Sequence, residues 1–347
     1  MQGKAFEIPK GLVWRAYKEV KRNRGAPGCD GQTIGLFHRN RDRNLYTIWN
    51  RLSSGSYLPP PVRAKRIPKG NGKERLLGIP TVSDRIAQGA VKLYMEARLD
   101  PIFHEDSYGY RPKRSAHQAL QRCAKRCMTR GWVLEVDIKA FFDNVSHDLV
   151  LKALRHHGMP RWVLLYCERW LRAPLIEEGE AAGPERTVGT PQGGVISPLL
   201  ANLFLHYAFD RWMDRAQRGI PFERCTDDNV CHCKYMNEAV RLKAALSARF
   251  AEVGLTMSEE KTHIVYIDTF PRWGVPFCFT FLGYDFRVRT LRSFKGELFR
   301  KCWPGASKQA MREITQTIKG WRAHRASTAD VDELAMRHSS VLRGWIA

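Results

Sequence analysis

The stretch FERCTDDNVCHC, residues 222–233, sets two chemistries side by side. Asp227 and Asp228 are adjacent acids between short apolar, strand-like runs, while Cys225, Cys231, His232 and Cys233 are the residue types of a zinc site. In a strand, Cys231 and Cys233 share one face and His232 takes the other. No second pair of ligands follows at finger-like spacing, so structural zinc on this stretch is not expected. Cys123 and Cys127, one helical turn apart, read as small core fillers. The two aspartates read differently. Adjacent carboxylates in a strand context repel and are costly to desolvate, so a counter-cation is expected. Asp137 closes another apolar run, Trp132–Ile138. If these strands are sheet neighbours, the three carboxylates converge as an oxygen donor set for Mg²⁺.

Working outward, the pattern alternates helices with strands and predicts an α+β fold. Helical periodicity covers 12–23, about 38–53, 82–98 and 238–253, with Ser115 as the N-cap of a further helix. Two strand-like runs flank Asn71-Gly72, a hairpin signal, in a ribbon rich in basic residues. GTPQGG leads through a turn into a helix with Ser197 as N-cap and Pro198 at the first helical position. THIVYI reads as a strand, and FTFLGYDFRVR as hairpin strand. Near the C-terminus, Met311, Ile314, Ile318 and Trp321 fall on one helical face.

The 347 residues carry 57 Lys plus Arg against 35 Asp plus Glu, a net charge of +22. An excess of this size implies a polyanionic partner. It is also clustered: residues 60–75 hold six basic residues and one acid, and 287–325 hold eleven and two. No apolar run approaches the ~18 residues of a membrane span. The first 25 residues lack the apolar core of a signal peptide, and the nine cysteines read as reduced thiols in a cytoplasm.

Four long motifs then make the reading specific: VDIKAFFDNVSHD (136–148), GTPQGGVISPLLANLFLHYAFDRWM (189–213), FERCTDDNV (222–230) and SEEKTHIVYI (258–267). In this order and spacing they resemble the reverse transcriptases encoded by bacterial group II introns. RGAPGCDGQTI, IPKGNGKERLLGIPTVSDRIAQ, SYGYRPKRSAHQAL and FTFLGYDF fit the same family, so the likeness runs from near residue 5 to the end. The resemblance implies a right-hand polymerase, with fingers over 1–130, palm over 131–286 and a partial helical thumb over 287–347. It implies that Asp137, Asp227 and Asp228, with the Ile138 carbonyl, hold two Mg²⁺ ions (Mn²⁺ as a substitute). Phe142 would exclude a ribose 2′-hydroxyl. Lys69 and Arg75 would clasp the triphosphate, and Gln192 would lie near the nucleotide, with Gly193 and Gly194 admitting close backbone approach. Lys261 would stand near the leaving phosphates. Arg63, Lys65, Arg66, Arg111, Lys308, Arg312, Lys319 and Arg322 would contact nucleic acid. The implied partners are an RNA template of group II intron type, a DNA primer or target, and dNTPs, with no membrane.

Two departures qualify this. The family usually has Tyr-Ala before the paired acids, where this chain has Cys225 and Thr226, and Asn229 stands where an apolar residue is usual. Family members also continue past VLRGW, so a full thumb is not expected. A maturase-like RNA-binding protein with weak synthesis is therefore the alternative, and a defence-linked relative using the same core is a third.

Overall fold

In the computed structural model, residues 4–69, 73–177, 179–267, 274–323 and 330–346 are described. The chain opens with α1 (Lys10–Asn23), α2 (Ile34–Arg39) and α3 (Arg41–Ser54). α1 buries Leu12, Val13, Ala16, Tyr17 and Val20, one stripe at helical spacing. The single helix expected near 38–53 is instead two, broken at Asn40. α3 stops at Gly55, whose φ of 80° suits a left-handed cap.

β1 (Val62–Lys69) and β2 (Lys73–Ile79) form an antiparallel ribbon with Lys69 opposite Lys73. The Asn71-Gly72 turn lies outside the described residues. α4 (Val82–Leu99) crosses the core, and α5 (Ala116–Cys127) starts at Ser115, which closes a capping box with Gln118. β3 (Trp132–Asp137), α6 (His147–His156), α7 (Arg161–Arg172) and the short β4 (Leu175–Ile176) follow, β4 pairing in parallel with β1.

α8 (Ser197–Leu205) begins one residue earlier than its Ser-Pro signal suggested. Ser197 does not cap it; its buried hydroxyl accepts a hydrogen bond from Thr190 at 2.8 Å. A π turn, His206–Asp210, joins α8 to α9 (Arg211–Ala216). Then come β5 (Phe222–Cys225), β6 (Asp228–Cys233), α10 (Met236–Glu252) and β7 (His263–Tyr266). β8 (Phe279–Phe281), β9 (Tyr284–Arg292) and β10 (Leu298–Ala306) form a separate antiparallel sheet, and α11 (Lys308–Gly320) and α12 (Val331–Ile346) end the chain. β9 runs through residues 286 and 287 and pairs along its length with β10. Among the described residues no helix is long and apolar enough to cross a membrane.

The central sheet, ordered β5-β6-β3-β7, positions the site. Alternation divides its residues between two cores. Leu134, Val136, Cys231 and Cys233 join the main core with α4, α8 and α10. Val133, Val230 and Val265 join a second core with α5 and the β8–β10 sheet.

Candidate active site

Register builds the acid cluster. β3 and β6 pair so that Asp137 lies opposite Asp228, Glu135 opposite Val230 and Val133 opposite His232. Cys225 pairs with Asp228 to close a two-residue turn, Thr226-Asp227. Thr226 has φ 63° at the first turn position, where a tight hairpin favours glycine. The neighbours hold this conformation. Asn229 donates its side-chain amide to the Asp227 carbonyl at 2.8 Å, and Arg224 donates to the Thr226 carbonyl at 3.4 Å. Gly109 lies against the turn so closely that a Cβ there would stand 2.6 Å from Thr226 Oγ1. Asn229, whose amide needs a partner in a strand, thus finds one for its nitrogen; Oδ1 has none among the described residues.

Asp137 and Asp227 open into a cleft of about 720 Å³ lined also by Arg75, Ile138, Phe142, Gln192 and Lys261. Five residues separated in sequence by up to 186 positions are therefore brought to one wall with the acids. The Lys261 ammonium stands 3.2 and 3.3 Å from the two Asp137 oxygens. Ile138 bridges to Met257, flanked by the bonds Lys139 N–H to Thr256 O and Ser258 N–H to Asp137 O. That pattern leaves the Ile138 carbonyl out of the bridge. Phe142 sits in a tight turn after Ala140 (φ 47°), and its carbonyl accepts from Thr190 N–H at 2.8 Å. The Gln192 carbonyl accepts from Gly78 N–H at 2.6 Å. Gly193, with φ 109°, makes its close approach to protein: a Cβ would meet the Gly78 carbonyl at 2.4 Å. The glycines thus dock the loop onto β2.

The basic residues divide. Lys65, Lys308, Arg312, Lys319 and Arg322 are exposed. Arg63 is half-buried. Arg66 is exposed but paired with Glu177 at 2.9 Å and Glu74 at 3.6 Å. Lys69 ends β1; its side chain lies outside the described residues. Arg111 is a correction. Its side chain is only 6% exposed, and its nitrogens bond Asp100 and the carbonyls of Asp100, His104 and Ser107. With four of its five N–H donors engaged inside the fold, Arg111 pins a loop instead of facing outward as expected.

Several residues were missed. Glu135 shares the Asp137 face of β3, and burial, then the nearby Asp228 charge, push its carboxyl up to about 7. The alternation of acids in LEVD carries that signal. Lys139, Asp143, Glu259 and Glu260 also line the cleft. Arg224, fully buried, bonds Asp210 through two 2.7 Å contacts and Asn202 at 2.9 Å, anchoring the strand that leads into the turn. Cys225 is no anion: burial, then Asp228, push its thiol up to about 11.

Asp137 on β3, Asp228 opposite it on β6 and Asp227 in the adjoining turn, with the Lys261 ammonium on Asp137, are hard oxygen donors whose chemistry fits a divalent cation such as Mg²⁺. Residues 67–286 match the family model described as reverse transcriptase (RNA-dependent DNA polymerase). The chain is 36% identical over 266 residues to the group II intron-encoded protein LtrA of Lactococcus lactis subsp. cremoris, covering 73% of this chain and 42% of that one. It is 38% identical over 192 residues to protein YkfC of Escherichia coli (strain K12), covering 54% and 50%. It therefore spans half or less of the length of these relatives. A telomerase structure from Candida albicans superposes with TM-score 0.52 at 12% identity, covering 71% of this chain and 47% of that one, a likeness of fold alone. With a right-hand polymerase fold and a family match over more than half its length, the chain belongs to the reverse transcriptase (RNA-dependent DNA polymerase) family.

Proposed function

We propose that the protein is an RNA-directed DNA polymerase of group II intron type, extending a DNA primer on an RNA template. The observation that carries this is Asp137 facing Asp228 across β3 and β6, with Asp227 beside Asp137 in the cleft. Fingers, palm and thumb would follow roughly the expected 1–130, 131–286 and 287–347 divisions. Asp137, Asp227, Asp228 and the Ile138 carbonyl would hold two Mg²⁺ ions. Bound there, the ions would lower the pKa of the primer 3′-hydroxyl and neutralise charge on the leaving pyrophosphate. Arg75 and Lys69 would clasp the triphosphate, Arg75 as a bidentate donor. Gln192, held by Gly78, would set the position of the nucleotide. Phe142, fixed by Thr190, would collide with a 2′-hydroxyl. Lys261 beside Asp137 would move onto the leaving phosphate as a proton source.

Primer extension with Mg²⁺ and dNTPs tests this directly. Asp227→Ala is expected to lose on the order of 10³-fold or more in rate, several kcal/mol of barrier. Phe142→Val is expected to reduce discrimination against ribonucleotides by about 10–100-fold. Equal extension by native chain and Asp227→Ala overturns the proposal.

A second reading, an intron-RNA-binding maturase with weak synthesis, rests on Cys225. A neutral thiol replaces the aromatic usual there, removing its stacking area beside a primer end. Extension regained by Cys225→Tyr with Thr226→Ala, from an inert native chain that binds intron RNA tightly, favours that reading.

A further inference from the structure

The face of the central sheet that carries Asp137 and Asp228 carries a second cluster at its other end. Asp228, Val230 and His232 alternate along β6, so His232 stands four residues, about 13 Å, from the acids. Cys231 and Cys233 point into the main core, away from it. The cysteines near His232 come from a distant element, Cys123 and Cys127 of α5, and Cys302 of β10 adjoins Cys127 in the same core. His232 Nδ1 faces Cys127 Sγ at 4.0 Å, and the Cys127 thiol is within hydrogen-bonding reach of those of Cys123 and Cys302. One ligand atom each of Cys123, Glu223 and His232 lies within 4.8 Å of the other two. All five side chains are buried.

We propose that Cys123, Cys127, Cys302 and His232 form a structural site for a soft divalent metal, zinc above all. Three thiols and an imidazole are the donor set of a closed tetrahedral zinc centre, whose donors stand roughly 3.5–3.8 Å apart. Cys127 stands 4.0 Å from His232 and Cys123 within 4.8 Å of it, while Cys302, beside Cys127, would have to move in to close the tetrahedron. Glu223 completes the pattern from outside. Its Oε2 lies 2.6 Å from His232 Nε2 and its Oε1 2.6 Å from Arg126, so both oxygens are engaged. A carboxylate on one imidazole nitrogen, with the other turned to the thiols, is the arrangement that orients a metal-bound histidine. Binding would release the three thiol protons and tie α5, β6 and β10 together behind the acid cluster. The sequence hid this set because its four ligands span 180 positions on three elements.

The test is elemental analysis of the full chain expressed with zinc and purified under reducing conditions without chelator. About one zinc per chain is expected, retained by Cys29→Ser, whose thiol is exposed, and by Asp227→Ala. The Cys127→Ser, Cys302→Ser double variant is expected to hold a tenth or less. A second measurement needs no variant: Co²⁺ added to the chelated native chain should give the thiolate charge-transfer and tetrahedral d–d bands. Zinc kept by the double variant, or a native chain with neither zinc nor the cobalt bands, overturns the proposal. So does a Cys127–Cys302 disulfide in the freshly isolated protein. Each readout is independent of primer extension.

Discussion

Arg224 shows how one side chain decides whether the acids can work. Its charge is fully enclosed, against Asp210 in the π turn, so the pair crosslinks α8–α9 to β5. Burial opposes ionisation of Asp210, yet the Arg224 guanidinium holds its carboxyl below the ordinary 3.8. Unfolded Asp210 therefore takes its proton at higher pH than folded Asp210. The pair's contribution is fully present above about pH 5 and is lost as pH falls through the folded value. Arg224→Met is expected to cost roughly 3–5 kcal/mol at pH 7 by leaving a buried charge unpaired. Urea unfolding at pH 7 and pH 3.5 checks this, because protonation of Asp210 should shrink the deficit; equal deficits would count against the ion pair. Gly109 acts on the same turn. Gly109→Ala is expected to cost about 1–3 kcal/mol through overpacking. It should also slow extension ~10-fold or more at a temperature where the chain stays folded, since displacement of Asp227 misplaces the reacting atoms.

At the scale of elements, α11 presents two stripes. Lys308, Arg312 and Lys319 fall within about 40° of one another around the helix, and all are exposed. Beside them run Met311 and Ile318, each about half exposed, while Trp321 stacks on His338 of α12 at 4.1 Å. Changing the three cations to Gln is expected to weaken RNA binding and to lower the magnitude of the log K against log salt slope by about 2–3. An unchanged slope would remove α11 from the RNA footprint. The β1–β2 ribbon makes a separate prediction. Gly78 docks it on the Gln192 loop and Arg75 reaches the cleft, so Arg75→Ala should raise KM for dNTPs more than it alters RNA affinity. Steady-state kinetics beside filter binding separates the two effects.

At the scale of the whole molecule, a charge of +22 drapes a sheet packed on both faces. If six to ten phosphates are engaged, affinity for RNA should fall about 10³–10⁵-fold between 50 and 200 mM salt; a shallow dependence would mean that the excess is mostly solvated surface. The helices, the hairpins and the three aspartates were legible because each rests on local spacing: period 3.6, period 2, a capping serine, an acid ending an apolar run. Arg111 was misread for the same reason. A basic residue looks alike in sequence whether it faces phosphate or four backbone and carboxylate oxygens. Composition and pattern by themselves determined the basic character, the α+β class and which acids were candidates; that Asp137 lies opposite Asp228 waited on the register. Only tertiary structure decided that Arg111 turns inward, that Arg224 and Asp210 meet, that Gly193 serves a protein contact, and that Cys123 and Cys127 come to lie near His232. Those depend on contacts between residues far apart in the chain, which register and packing create and local periodicity does not encode.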